Sequence, residues 1–112
     1  MKAVVAMKNK TQRMRLKIFL DEAYPNSTVL FFDDVMMAAR HVLEFPTDVF
    51  FADAGAKRFV HMLKKSGDGM AIVLCSQNHD PEAEMTEAGV KTVLVEPITM
   101  EKVVGAVEGF IG

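Results

Sequence analysis

The chain has 112 residues, half of them hydrophobic and a quarter charged, with one cysteine, Cys75. That is one domain's worth, residues 1–112, with enough apolar material for a real core. It excludes a disordered chain and a disulfide scaffold, and the early apolar run 3–7 is too short for a signal peptide or membrane span. A cytoplasmic protein with no membrane partner is the resulting expectation.

The net charge of −2 conceals an uneven layout. Lys2, Lys8, Lys10, Arg13, Arg15 and Lys17 fall within the first 20 residues, which hold no acid. The rest of the chain carries seven basic residues against fifteen acidic ones. Such a chain is expected to meet a protein partner and not nucleic acid, which would want a positive total.

In chain order, five short runs rich in Val, Ile, Leu and Phe read as strands, at 2–7, 28–32, 48–52, 70–75 and 92–95. Four of them are continuous apolar runs with little alternation, the pattern of strands covered on both faces and hence of a parallel sheet. After the first strand, a helix over 11–24 is expected to turn Met14, Ile18 and Phe19 inward, and Pro25-Asn26 ends it. Asp33 or Asp34 caps a second helix that stops before Pro46. A third helix over 56–65 packs Phe59, Val60 and Leu63, and the turn 66–69 follows. Asp80-Pro81 opens a fourth helix and Gly89 closes it. Thr99 opens the last, with Val103, Val104, Val107 and Phe110 inward. The order is (βα)5, and right-handed crossovers make an open, doubly wound α/β sheet the natural solution.

In such sheets chemistry collects beyond the carboxyl ends of the strands. Those positions hold Met7, Lys8 and Asn9 after the first strand, Asp53 after the third, Cys75-Ser76 at the fourth and Glu96-Pro97 at the fifth. Asp53 lies 46 residues beyond Met7, at the end of Thr47-Asp48-Val49-Phe50-Phe51-Ala52. Ala88-Gly89-Val90 precedes Leu94-Val95-Glu96-Pro97. With this order and these motifs, the chain resembles, over its full length, the receiver (CheY-like) domains of two-component response regulators. The resemblance implies a flavodoxin-like fold with strand order 2-1-3-4-5, and Asp53 at the phosphoacceptor position.

The departures from that family define the expected function. Met7-Lys8 stands where the family keeps two carboxylates for Mg²⁺, and Cys75, beside Ser76, where it keeps a Ser or Thr. Glu96 replaces its lysine, and Val93 its switching aromatic. The loop after the phosphoacceptor is shortened to Ala54-Gly55-Ala56. Phosphoryl transfer to a carboxylate needs positive charge on the transferring oxygens. Mg²⁺ needs hard oxygen donors, which neither an ammonium nor a thioether supplies. Weak or absent Mg²⁺ binding, no other cofactor and no catalytic residue are therefore expected. In this reading Lys8 takes the metal's place and pairs with Asp53, Glu96 or both. Against it stand the plainer readings of Asp53 as a strand-end cap and Lys8 as a solvated lysine. Asp33-Asp34 is better explained by helix capping than by metal binding.

Other residues read more plainly. Cys75 is expected to be a buried apolar group, and His41, His61 and His79 are scattered without metal-like clustering. The nine methionines are core filler, with Met36-Met37 a weak interaction spot. Ser27 and Ser76 fall in no nucleophile motif. Lys10, Arg13 and Lys17 form one stripe of the first helix, a solvated face or a partner-docking surface. Three functions compete. The first is a degenerate receiver, non-enzymatic, acting as a phosphorylation-independent protein-interaction module. The second is a receiver still phosphorylated on Asp53. The third is a flavodoxin-like small-molecule or phosphocarrier domain, which the segment 8–12, with no Gly or Cys, disfavours. Partner identity and oligomeric state are not encoded in any of these motifs.

Overall fold

The computed structural model describes residues 1–53, 71–76, 92–95 and 97–111, without the side chains of Ser76, Thr92, Phe110 and Ile111. The elements are β1 (Lys2–Ala6), α1 (Lys10–Ala23), β2 (Thr28–Phe32), α2 (Val35–Glu44), β3 (Val49–Asp53), β4 (Ala71–Ser76), β5 (Thr92–Val95) and a C-terminal helix, α3 (Met100–Ile111). The strands form one parallel sheet in the order β2-β1-β3-β4-β5, as expected. β2 and β5 coincide with the sequence reading, and the ends of β1, β3 and β4 differ from it by one residue. The helices expected over 56–65 and from Asp80 lie outside the described residues.

Alternation along each strand divides the core into two layers. Val5, Phe51, Val73 and Leu94 face Leu16 and Leu20 of α1 and Val103, Ala106 and Val107 of α3. Val4, Ala6, Phe50, Ala52 and Leu74 point the other way, toward Ala38 and Ala39 of α2. Both faces of β1 and β3 are thus covered, and this is why their sequences run apolar without alternation.

The helices begin where local chemistry allows. Asn9 caps α1, its side chain accepting from the Gln12 N–H at 3.0 Å, and Asp34 caps α2 by accepting from Met36 at 2.8 Å. The Thr99 hydroxyl accepts from the Lys102 N–H at 3.3 Å and opens α3. Val103 and Val107 are buried as expected, Val104 is half-buried, and the Phe110 side chain lies outside the described residues. On α2, His41 sits between Phe32 and Phe45, with ring centroids 5.6 and 4.8 Å away.

The expected inner face of α1 is corrected. Leu16 and Leu20 are fully buried and Phe19 half-buried, whereas Met14 and Ile18 are 54% and 52% exposed. At 100° per residue the pair 14/18 lies opposite the pair 16/20, so the helix buries one apolar stripe and leaves the other in water. Its charges also run against its own dipole. The first turn holds no acid and the last turn no base, while Asp21 and Glu22 crowd the C-terminal end. Each such misplaced charge costs typically about 0.3–1 kcal/mol at an exposed site.

Just past α1, the Tyr24 hydroxyl donates to Glu108 Oε1 of α3 at 3.0 Å. Burial first, then this hydrogen bond and the charge of Glu108, raise the phenol above its ordinary pKa. The folded state therefore holds the phenolic proton more tightly than the unfolded chain. The stability this adds is fully present below pH 10 and is lost as pH rises through the raised value. Tyr24 is the only tyrosine, so tyrosinate absorbance reports it alone. Its titration midpoint is expected above 10, and Glu108→Gln should bring it down; a midpoint unmoved by that change would refute the coupling.

Candidate functional site

The carboxyl ends of the strands gather the residues singled out from the sequence. Asp53 is the last residue of β3 and lies in register with Cys75 of β4, while Ala6 of β1 pairs with Ala52. Met7 follows directly on β1, is 1% exposed, and donates its N–H to the Phe32 carbonyl at 3.2 Å. Met7, Lys8, Asp53 and Cys75 thus converge. Asp53 is half-buried, and Cys75 is buried and in no disulfide.

Asp53 and Lys8 do meet, but not through their charges. The main-chain N–H of Lys8 donates to Asp53 Oδ2 at 2.9 Å. Among the described residues the exposed Lys8 ammonium makes no ion pair with Asp53. The expected side-chain pairing with Asp53 is corrected accordingly: the chain turns at Lys8 so that its amide, not its ammonium, points at β3. Glu96, its other expected partner, lies outside the described residues, as does the side chain of Ser76.

Arg13 has a different place from the one its stripe implied. Its Nη1 donates to the Met7 carbonyl at 2.8 Å and the Lys8 carbonyl at 3.4 Å. The guanidinium therefore braces the β1–α1 turn that carries the Lys8 amide. Lys10 and Lys17 are exposed, so only these two of the stripe remain open to a partner.

A second cation, Lys102, escaped the sequence reading. Its ammonium donates to the carbonyls of Val95 at 2.8 Å and Pro97 at 2.9 Å, closing the end of β5. One signal for it was present: a lysine in the first turn of a helix opposes the dipole, and so asks for a reason.

The donor set decides what ion this site suits. Mg²⁺ is bound through carboxylates, phosphate oxygens and water in octahedral geometry. Among the described residues, no group of three or more His, Cys, Asp or Glu side chains is placed to hold a metal. Asp53 already spends one oxygen on an amide, and the neighbouring strand end offers a buried thioether and a lysine. These residues do not fit a hard divalent cation. Nor is any helix among the described residues long and apolar enough to cross a membrane.

No protein-family model matches this sequence, and no curated protein matches it. Solved structures do. A response regulator receiver domain from Clostridium thermocellum superposes with a TM-score of 0.83 at 19% identity, covering 98% of this chain and 93% of that one. The receiver domain of a sensor histidine kinase from Pseudomonas aeruginosa, with a magnesium ion in its active-site cleft, gives 0.78 at 16% identity, over 99% and 97%. A Saccharomyces cerevisiae response-regulator receiver domain, crystallised with its histidine phosphotransfer protein, gives 0.80 at 12% identity, over 98% and 88%. At such identities the likeness is one of fold, and it spans nearly every residue: the chain is folded as a CheY-like receiver domain is.

Proposed function

We propose that this chain is a receiver-like domain of two-component signalling that has given up its phosphoryl chemistry and serves as a non-enzymatic protein-interaction module. The observation that carries the reading is the replacement at the end of β1. Where the resemblance calls for metal-binding carboxylates, Met7 is packed into the core and Lys8 contributes an amide to Asp53. Bringing an anionic phosphodonor to a carboxylate requires fixed positive charge on the transferring oxygens. The Lys8 amide supplies one hydrogen-bond donor and no divalent charge. Both the Arg13 and Lys102 cations are committed to main-chain carbonyls.

The partner in this reading is a cytoplasmic signalling protein. The yeast receiver crystallised with a phosphotransfer protein supports a protein partner of that class. The exposed Lys10 and Lys17 offer charge for steering such an encounter.

The test is incubation with a small phosphodonor and excess Mg²⁺, followed by intact mass. The parent chain is expected to keep its mass. A gain of one phosphoryl group that Asp53→Asn abolishes would instead establish a working phosphoacceptor.

A further inference from the structure

We propose that two copies of this chain associate through the free edge of β2, pairing their β2 strands antiparallel about a twofold axis. The inference does not rest on the phosphoacceptor reading. Among the described residues, β2 lies at the edge of the sheet and is bonded to β1 alone. Natural edges are blunted by charge, proline or a bulge, because an unblunted one templates pairing with another chain. Thr28-Val29-Leu30-Phe31-Phe32 carries no charge and no proline, pairs with β1 without interruption, and leaves Leu30 39% exposed. Phe32 of β2 meets His41 of α2, which stacks on Phe45 just past that helix; Phe45 and, on α2, Met37 are 54% and 60% exposed.

The charges of α1 identify the occupant. With the twofold axis perpendicular to the sheet, both α1 helices fall on one face and run antiparallel across the seam. The basic N-terminal end of one helix, with exposed Lys10, then faces the acidic C-terminal end of the other, with exposed Asp21 and Glu22, while Lys17 lies near the middle. Lys10, Lys17 and Asp21 recur on one flank at i, i+7 and i+11. The charge order is unfavourable for a helix alone and complementary for two copies placed head to tail. The exposed Met14 and Ile18 lie along the middle of the helix, between its basic N-terminal and acidic C-terminal ends.

Sedimentation equilibrium from about 1 μM to about 1 mM, where weak complexes populate, tests the proposal. The apparent mass is expected to rise from 12.4 kDa toward twice that value. Leu30→Lys places a charge on the edge and should hold the mass at the monomer value. Asp21→Lys/Glu22→Lys should do the same while leaving the unfolding temperature equal or higher, since it relieves the dipole conflict. Circular dichroism checks that each variant is folded, and the helix variant decides the matter alone if the strand variant is not. A monomer at every concentration would overturn the proposal, and so would a dimer that the folded variants leave intact.

Discussion

Phe51→Ala is expected to remove about 3–5 kcal/mol from the unfolding free energy. Phe51 is fully buried, lies between Val5 of β1 and Val73 of β4, and packs in the layer that α1 and α3 cover. Truncating it forfeits the transfer energy of a ring and leaves a cavity that two fixed strands are poorly able to close. Domains of this size have about 5–15 kcal/mol in all, so the loss is a large share of the total. Urea unfolding followed by circular dichroism should show a lower midpoint with an unchanged slope. Because side chains alternate, Phe51 shares a face with Asp53 two residues on, so the same cavity loosens the strand end that presents the carboxylate. A loss below about 1 kcal/mol would place Phe51 outside the cases where core truncation creates a cavity.

The sheet was legible because its physics is local to each strand. A strand buried on both faces must be apolar throughout, and 49–52 is apolar and fully buried as its composition requires. The inner face of α1 was not legible, for a reason visible in its residues. Met14/Ile18 and Leu16/Leu20 are both i, i+4 apolar pairs, so periodicity offers two stripes. The buried stripe also includes the half-buried Gln12 and Arg13, so neither stripe is free of polar residues and polarity does not choose between them. Arg13 belongs there because its guanidinium finds the Met7 and Lys8 carbonyls. That is a tertiary contact, and spacing alone does not encode it.

The same distinction separates what was readable at the site from what was not. Asp53 was placed by its position at the end of an apolar strand, and Met7 by its position at the end of another. Side-chain charge is what a sequence displays, and it points to the Lys8 ammonium as the partner of Asp53. The actual donor is the Lys8 amide, and a main-chain group carries no signature of its own. Lys102 was hidden for a related reason, since its acceptors are carbonyls at the end of another element.

Replacing Met7 and Lys8 together with aspartate should convert the site from indifference to dependence on Mg²⁺. Without metal, the variant buries a carboxylate where a thioether is 1% exposed, beside the carboxylate of Asp53. An uncompensated buried charge of this kind costs about 3–5 kcal/mol, so the metal-free variant is expected to unfold at a much lower temperature than the parent. With metal, three carboxylates at adjoining strand ends offer the hard oxygen donors that Mg²⁺ prefers. Binding to the folded state alone then adds about 2.7 kcal/mol at a hundredfold excess over the dissociation constant. Thermal unfolding with excess Mg²⁺ and with a chelator measures both effects. The parent is expected to unfold at one temperature in either condition, and a parent stabilised by Mg²⁺ as strongly as the variant would show that Asp53 and its present neighbours already hold the ion. Lys8→Asp alone separates the two positions: it keeps Met7 in the core, so its metal-free loss should be small, and its response to Mg²⁺ should fall between those of parent and double variant.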